Sequence, residues 1–557
     1  MRYDAIVIGA GHNGLVAACY LARAGRRVLV LERRNVVGGC CTTEEVFPGC
    51  KVSTAAYVNG IFHPKIAADL KLRQYGFEVL ERNPSSFTPF LDGRHLLLGP
   101  DQSFNCREIA KFSARDAEAF PRYETMLNEL AEFVEPTLLE PPPDPLASGL
   151  ADLWQLGSVG RKARKLGPRL GELVRIMTGS ARHLLDGWFE SDALKATLAT
   201  DAIIGAFAAP SSPGTGYVLF HHVMGETNGA RGVWGFVRGG MGGLTNALAG
   251  AARAMGVEIH CTSPVASIKT RNGQAVGVVL TDGREFEARA VLSNADCNVT
   301  FLKLVGAQHL PDEFVTAVRR IRYDSASLKI NLLLSELPRF DGANGTSAAG
   351  MNPAARHLCG TIHICESLDY IERAFDDAKY GQPSREPVLE CTLPSVVDET
   401  VCPPGRHLMN MFVQYAPYRL TEDSGFRVQG SGTPSPAQGE GWGEGGSADW
   451  DRIKDAFADR CLEVLARYAP NVKKAIIARQ VLSPLDLERE FGLTGGNIFQ
   501  GAMTLDQLLF MRPVPGWSHY RTPIKGLYLC GAAAHPGGGV MGACGYNAAH
   551  QVLKDRI

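Results

Sequence analysis

The first forty residues contain two short apolar runs separated by a longer stretch rich in alanine and leucine. The β-branched run Ala5–Ile8 predicts a strand, and the apolar residues of Leu15–Ala24 recur at helical spacing. A second apolar run, Arg27–Leu31, predicts another strand. The pattern therefore predicts a β-α-β unit in this part of the chain.

The turn between the first strand and the helix is the glycine motif Gly9-Ala10-Gly11-His12-Asn13-Gly14. In such a motif the first glycine permits the tight turn, the second lets the backbone approach a pyrophosphate, and the third allows close packing of helix and strand. Glu32 ends the second strand, where a carboxylate accepts hydrogen bonds from ribose hydroxyls. A chance glycine-rich turn is the alternative, but the strands, the helix and the acid together predict a dinucleotide site. The predicted contacts are Gly9, Ala10, Gly11, Asn13, Gly14 and Glu32.

A glycine pair follows six residues after Glu32. The segment Glu32–Gly39 ends in this pair and resembles the extended fingerprint of the glutathione-reductase-like flavoproteins. The resemblance implies that the dinucleotide is FAD and not NAD. Further predicted FAD contacts are Arg33, Arg34, Gly38, Gly39 and Cys40.

FAD is too large for one β-α-β unit, so a second contact segment is expected elsewhere in the sequence. Lys525–Gly531 predicts a strand that ends on glycine, and a helix is predicted from about Gly542 onward. Glycines between them can present backbone N–H groups to phosphate or to the flavin ring, although an ordinary glycine-rich loop is the alternative. His535 in this loop is predicted to be a pocket group, the alternative being a histidine that bonds to the backbone. The predicted FAD contacts are Gly531, Gly538, Gly539 and Val540.

The segment His535–Val540, together with the N-terminal motif, resembles the phytoene desaturase and carotenoid oxidoreductase superfamily, and the resemblance covers nearly the whole chain. Within that superfamily, Gly9–Ala18 and Val37–Glu44 are most similar to the family of pyridine nucleotide-disulphide oxidoreductase domain-containing protein 2 and its bacterial relatives. A disulphide reductase carries a C-x4-C redox pair after its glycine pair, whereas here two adjacent cysteines are followed by Cys50. Adjacent cysteines rarely form a good disulphide, so all three are predicted to be small packed side chains.

The resemblance implies an α/β fold. It comprises a glutathione-reductase-like Rossmann FAD-binding domain, with a central parallel sheet plus a β-meander, and an interleaved α+β substrate domain. The FAD-binding domain is expected at residues 1–60, 230–300 and 486–557, and the substrate or cap domain at 61–229 and 301–485. A flexible insertion is predicted at about 424–447, where the Gly- and Ser-rich composition cannot bury a core.

Alternating apolar residues between about 257 and 290 predict the β-meander. In similar flavoproteins the segment that holds Val265 offers its backbone to the adenine edge, so Val265 is a predicted contact. The later segment Ser293–Asp296 is either a capping turn or a direct flavin contact, and Asn294 is the predicted contact within it.

The segment Ser327–Leu334 predicts a strand that carries Lys329 inside an apolar run. Burial of an ammonium group without a partner is costly, so this lysine needs an explanation. In amine-oxidase-like flavoproteins a similar strand carries a lysine that binds a water beside flavin N5, and Lys329 resembles that lysine. The alternative is an edge-strand lysine that points to solvent. Lys329 and His535 are the predicted catalytic residues.

Composition and charge exclude several classes of protein. The chain has 557 residues, and its formal charge of −1 lacks the basic footprint of a nucleic-acid-binding protein. No apolar run approaches the ~18 residues of a membrane span. The 14 cysteines show neither a disulfide framework nor zinc-ligand spacing, so no metal site is expected. Because the first strand begins at once, no targeting segment is expected, and a cytoplasmic location is predicted.

The basic stretch from Arg161 to Arg175 carries apolar residues among its charges. A solvated helix face is expected there. Peripheral contact with an anionic membrane is the alternative.

Together these features predict an FAD-dependent oxidoreductase, acting as an oxidase, a dehydrogenase or a desaturase. We expect it to take a hydride from a C–H or C–N bond of a small, apolar organic substrate onto flavin N5. One alternative is a desaturase of carotenoids or other polyenes. Another is an FAD-binding regulatory or partner-binding protein with little turnover.

Overall fold

The computed structural model of the protein describes residues 2–145, 150–227, 229–340, 353–421 and 447–556. Apart from residue 447, the predicted insertion at about 424–447 lies outside the described residues. Within these ranges the two largest sheets have seven strands each.

The regular elements are numbered in chain order. The strands are β1 (Arg2–Ile8), β2 (Val28–Leu31), β3 (Thr43–Phe47), β4 (Cys50–Ser53), β5 (Val79–Leu80), β6 (Ser86–Pro89), β7 (His95–Leu98), β8 (Glu226–Thr227), β9 (Ala230–Arg231), β10 (Phe236–Val237), β11 (Glu258–His260), β12 (Val265–Arg271), β13 (Gln274–Leu280), β14 (Glu285–Ser293), β15 (Ser327–Leu334), β16 (Thr361–Ile364), β17 (Val388–Thr392), β18 (His407–Gln414), β19 (Ile476–Leu482) and β20 (Leu527–Leu529). The α-helices are α1 (His12–Arg23), α2 (Pro64–Asp69), α3 (Gln102–Ala110), α4 (Ala114–Val134), α5 (Leu150–Arg164), α6 (Arg169–Thr178), α7 (Ala181–Trp188), α8 (Asp192–Ala199), α9 (Thr215–Val223), α10 (Gly242–Ala254), α11 (Asp312–Arg319), α12 (Leu368–Lys379), α13 (Ser447–Ala466), α14 (Val472–Ala475), α15 (Pro484–Phe491) and α16 (Ala543–Lys554).

The first large sheet has the topology of the predicted dinucleotide fold. Strands β11, β2, β1, β14 and β20 lie side by side and run parallel. Strand β14 also pairs with β13, which pairs with β12, in an antiparallel meander. Every residue of β2 is buried, as expected for parallel strands that helices cover on both faces, and α1 packs against both α10 and α16. The predicted α/β fold is confirmed, while the exact domain boundaries stay a prediction.

The second large sheet, here called the cap sheet, has the order β19-β15-β18-β17-β16-β6-β7. Alternate residues of β15, namely Leu328, Ile330 and Leu332, join an apolar core with Trp450 and Phe457 of α13. The polar residues between them lie on the opposite face of the sheet, because strand side chains alternate. All of β15 is buried, so this polar face is covered as well. It forms one wall of the main cavity.

Helices α4 and α6 to α9 contribute to a separate apolar core. The basic stretch at 161–175 falls on α5 and α6, where Leu173 is buried and Arg169 pairs with Glu129 at 2.6 Å. Exposed basic residues there include Arg161, Lys162, Arg164 and Lys165. Membrane contact through this face stays a prediction. In the described parts of the chain, no helix has both the length and the apolar character needed to cross a bilayer.

Candidate active site

One cavity of about 1160 Å³ is lined by residues of both large sheets. This volume exceeds the roughly 300–1,000 Å³ of a typical small-molecule pocket, so a dinucleotide and a substrate can fit together. The predicted FAD contacts that line it are Gly9, Gly11, Asn13, Glu32, Arg33, Arg34, Gly38, Gly39, Cys40, Val265, Asn294, Gly539 and Val540. Four others, Ala10, Gly14, Gly531 and Gly538, are not among the lining residues.

The glycine cradle, defined as Gly9–Gly14 with Gly38 and Gly39, is closely packed around the start of α1. Gly9 has a φ of +94°, which an L side chain rarely adopts. A Cβ on Gly14 would lie 2.2 Å from the carbonyl oxygen of Gly9, so Gly14 sets the close contact between helix and strand. Gly14 therefore lies behind the cavity wall and allows the helix to pack closely on the strand, as the glycine motif predicts.

The start of α1 is suited to an anionic group. The helix begins after Gly11, which provides no side-chain cap, and its first turn has no acidic residue. Its first N–H groups therefore have no side-chain acceptor, and the helix dipole adds positive potential there. The Glu32 carboxylate accepts hydrogen bonds from the N–H groups of Ala10 at 2.8 Å and Arg34 at 2.9 Å, which fix it at the edge of the cavity. These residues fit the phosphates and a ribose of FAD.

Of the predicted C-terminal glycine contacts, Gly539 lines the same cavity, and Gly531 and Gly538 pack behind it. A Cβ on Gly538 would lie 2.1 Å from the ring of Phe499, and one on Gly531 would lie 2.6 Å from the Asn294 carbonyl oxygen. These glycines therefore allow the loop to pack closely behind Gly539. His535 is buried but is not among the residues that line the cavity. Its predicted catalytic role has no geometric support.

The segment after β14 forms the predicted capping turn, and the direct flavin contact of Asn294 stays a prediction. The Asp296 carboxylate accepts hydrogen bonds from the N–H groups of Val299 and Thr494, each at 2.9 Å, so Asp296 caps the helical segment that follows. Asn294 lines the cavity, and its Nδ2 donates to the Gly9 carbonyl at 3.4 Å. The capping turn thus holds Asn294 beside the glycine cradle.

The cysteines near the glycine pair show no dithiol arrangement. All 14 cysteines lie in the described residues, and none of them forms a disulfide. Cys40 lines the cavity, but burial raises the pKa of its thiol to about 12, which makes it a poor nucleophile. Cys50 lies elsewhere, with its Sγ 3.1 Å from Sγ of Cys402.

Lys329 lies in the opposite wall of the cavity. It is only 2% exposed, so the solvent-facing alternative is wrong. Its Nζ has no hydrogen-bond partner in the part of the chain that the structure describes, and it lies 3.8 Å from the ring centroid of Tyr57. Burial lowers the pKa of Lys329 well below its usual value, which favours the uncharged amine.

The strand register places three more side chains in the same row as Lys329. Lys329 is opposite Phe412, Phe412 is opposite Glu390, and Glu390 is opposite His363. Directly opposed residues of an antiparallel pair project from the same face of a sheet. All four line the cavity.

Glu390 is the centre of a buried polar group in this wall. Tyr57 donates a hydrogen bond to Glu390 Oε2 at 3.3 Å, and His363 Nδ1 lies 3.5 Å from Oε1. Burial and the nearby charge of Asp201 raise the pKa of Glu390 to about 8, whereas burial and Arg82 lower the pKa of His363 to about 3. The contact between Glu390 and His363 is therefore one between neutral groups at pH 7 and not an ion pair.

Sequence reasoning missed most of this wall. The available signal was the alternation of polar and apolar residues in 327–332 and again in 361–364. It does not reveal which strands are neighbours, so only Lys329 was identified. The residues missed are Tyr57, Arg82, Asp201, Thr361, His363, Glu390 and Phe412.

Comparison with known protein families identifies the class of enzyme to which this site belongs. The model of the family described as flavin containing amine oxidoreductase matches residues 14–338, more than half of the chain. The chain belongs to this family. As a member of the flavin-containing amine oxidoreductase family, the protein is an FAD-dependent oxidoreductase. The predicted cofactor and enzyme class are confirmed.

Relatives of known sequence and structure support this membership. The rat protein named pyridine nucleotide-disulfide oxidoreductase domain-containing protein 2 is 45% identical, with 100% of this chain and 94% of the rat protein covered. A phytoene desaturase from Cercospora nicotianae is 25% identical, with 97% of this chain and 87% of the desaturase covered. The resemblance seen in the sequence is thereby confirmed. The structure of putrescine oxidase with bound putrescine aligns with a TM-score of 0.58 at 17% identity, covering 100% of this chain and 99% of that one, and it shows the shared fold.

Proposed function

We propose that this oxidoreductase removes a hydride from a C–H or C–N bond of a small organic substrate, with N5 of FAD as the acceptor. The supporting observation is that one cavity extends from the glycine cradle to the buried Lys329. Bound FAD supplies the redox chemistry. The chain supplies binding, orientation and a cavity with little water.

Lys329 is the proposed catalytic residue. An uncharged buried amine can hold a water molecule or a substrate group by hydrogen bonding, whereas a buried ammonium would need a counter-charge. The unpartnered Nζ of Lys329 leaves these bonds free. We propose that it holds a water molecule beside the reacting atoms.

The first test is the visible spectrum of the purified protein, followed by anaerobic reduction and rapid mixing with air. An FAD spectrum with fast reoxidation indicates an oxidase, and slow reoxidation indicates a dehydrogenase or desaturase with another acceptor. A protein that takes up no FAD, even when FAD is added, contradicts the proposal.

A second test isolates Lys329. We expect Lys329→Met to slow reduction or reoxidation by at least about tenfold while FAD stays bound. The matched control is Lys269→Met on β12, where the lysine pairs with Glu285 at the surface and its loss should change neither rate. Equal rates in both variants and the parent protein would remove Lys329 from the site.

The desaturase alternative rests on the 25% identical phytoene desaturase. The buried polar residues of the cap wall count against a pure hydrocarbon substrate, because they would lose solvation without gaining partners. Turnover of phytoene presented in lipid vesicles would favour the desaturase, and its absence would favour a polar substrate.

A further inference from the structure

Arg82 is a buried arginine that forms no ion pair with any residue the structure describes. It is 3% exposed and lines the cavity. Its Nε donates to the Trp234 carbonyl at 2.6 Å, and its Nη1 donates to Thr361 Oγ1 at 2.8 Å. Both partners are neutral, and in the described part of the chain no carboxylate oxygen lies within the 4.0 Å of an ion pair. Buried arginines are normally paired, so this unpaired guanidinium needs a partner from outside the chain.

Neighbouring carboxyl groups compensate this charge only in part. Burial lowers the pKa of Arg82 to about 10, so it is still charged at pH 7. Burial raises the pKa of Asp201 to about 7, and burial with the charge of Asp201 raises the pKa of Glu390 to about 8. Near pH 7, Glu390 is therefore mainly protonated and Asp201 is about half protonated. These two acids therefore do not fully balance the positive charge of Arg82 at pH 7.

Other polar atoms in the same wall also lack a hydrogen-bond partner within the described ranges. They are Nζ of Lys329, Oγ of Ser327 and Nδ1 of His363, and their residues are 2%, 2% and 5% exposed. All three residues line the cavity. Buried polar groups without partners are uncommon in folded proteins, and several facing one cavity point to a polar ligand.

The charge of Arg82 is not directed at the phosphates of FAD. Its hydrogen-bond partners and the ring beneath its guanidinium, Phe236, belong to β10, β16 and the segment before β10. None belongs to the glycine cradle. The guanidinium of Arg82 is therefore held by residues outside the glycine cradle, in the part of the cavity where we place the substrate.

We propose that this wall binds a carboxylate group of the substrate, with Arg82 as its anchor. The inference rests on the proposed function and deepens it, since it identifies the substrate as an organic acid. A planar guanidinium matches a carboxylate in shape, and Nη2 of Arg82 has no hydrogen-bond partner among the described residues. A protonated Glu390 can donate a further hydrogen bond to the bound anion.

An ammonium group would be a poorer occupant of the same place. It would lie beside the permanent charge of Arg82, and like charges repel strongly in a buried site. It would also require Glu390 to ionise against its burial. A cationic substrate is therefore the competing outcome of the test.

Binding of a carboxylate should depend on pH. The affinity should fall as pH rises through about 8, because an ionised Glu390 would repel the ligand. Below that pH, binding should take up protons, since a bound anion raises the pKa of the acids and of Lys329. The titratable and charged groups that act on Glu390 or respond to it are Tyr57, Arg82, Asp201, Lys329, His363, Cys365 and Cys391.

The test uses the FAD-loaded full chain and three probes of equal length: hexanoate, hexylamine and 1-hexanol. Isothermal titration calorimetry at pH 7, in two buffers of different ionisation enthalpy, gives both affinity and proton exchange. We expect hexanoate to bind at least about tenfold more tightly than 1-hexanol, with proton uptake. A preference for hexylamine with proton release, or equal binding of all three probes, would overturn the inference.

Two variants identify the anchor. We expect Arg82→Gln to weaken hexanoate binding by about 10- to 100-fold without changing the binding of 1-hexanol. If that variant does not fold, Glu390→Gln is decisive, because it keeps a hydrogen-bond donor and removes the titrating group. It should retain hexanoate binding at pH 7 and lose the decline near pH 8. Loss of hexanoate binding at pH 7 in a folded Glu390→Gln protein contradicts the inference.

Different experimental results would contradict the inference and the proposed function. The proposed function fails if no donor reduces the bound FAD. The inference fails if hexanoate has no advantage over 1-hexanol, whether or not FAD is reduced by other donors.

Discussion

Single glycines of the cradle restrict which substitutions the FAD site tolerates. In Gly14→Ala the new Cβ would lie 2.2 Å from a backbone oxygen, which cannot move without opening the contact between α1 and β1. We expect FAD retention after gel filtration to fall at least tenfold and the melting temperature to drop. Gly187→Ala on α7 is the matched control, since its Cβ would meet no atom within 4 Å. That change should stabilise the protein by up to about 1 kcal/mol. Equal FAD retention in both variants would show that the close contact is dispensable.

The buried acid of the cap wall should affect stability as pH changes. The pKa of Glu390 is about 8 in the folded protein and 4.5 as its ordinary value, so the folded state favours the protonated form. This contribution is complete below about pH 4.5 and is lost as pH rises through 8. We expect the stability of Glu390→Gln relative to the parent protein to increase between pH 5 and pH 9, measured by thermal melts across that range. A difference in stability between the two proteins that does not change with pH would contradict the raised pKa of Glu390.

Residues could be predicted from the sequence where spacing along the chain defines the site. Gly9, Gly11 and Glu32 lie in one β-α-β unit, so their spacing alone indicates a dinucleotide site. Arg82 and Glu390 come from separate segments and meet only through tertiary packing. Their local sequences contain no signal of a shared site.

At the scale of elements, the side chains of β15 alternate between an apolar face and a polar face. Substitutions on the two faces should therefore change the free energy of unfolding differently. Ile330 packs in the apolar core, so Ile330→Ala should destabilise the protein by about 2–5 kcal/mol. Lys329→Met removes an unpartnered polar group from the other face and should be neutral or stabilising. Chemical denaturation of the FAD-loaded variants measures both changes. The reverse order of stability would mean that the polar face, and not the apolar one, stabilises the strand.

The hydrophobic pattern of a strand predicted its surroundings in the fold better for some strands than for others. The continuous apolar run of β2 predicted a strand, and the structure buries every residue of it because helices cover both faces of the parallel sheet. Strand β17 is equally buried, yet Glu390 within it faces a cavity. Burial by a cavity wall and burial by a core look alike in a sequence of five residues.

For the whole molecule, bound FAD should stabilise elements that are distant in sequence. The cavity wall includes Gly9, Lys329 and Val540, so a ligand in it contacts both large sheets. With FAD at 100 times its dissociation constant, we expect about 2.7 kcal/mol of added stability. Hydrogen exchange should slow in 9–14, in β15 and in 538–540 on FAD loading. Protection limited to 9–14 would mean that FAD contacts only the first sheet.

The packing of α16 against α1 has a consequence for biosynthesis. A Cβ on Gly545 would lie 2.0 Å from the Asn13 carbonyl oxygen, so the two helices meet closely beside the cradle. The ribosome synthesises α1 about 530 residues before α16. At roughly 5–20 residues per second, that interval is on the order of a minute. During translation the side of α1 that packs on α16 therefore stays uncovered for this interval, and we expect stable retention of FAD only after α16 has been synthesised.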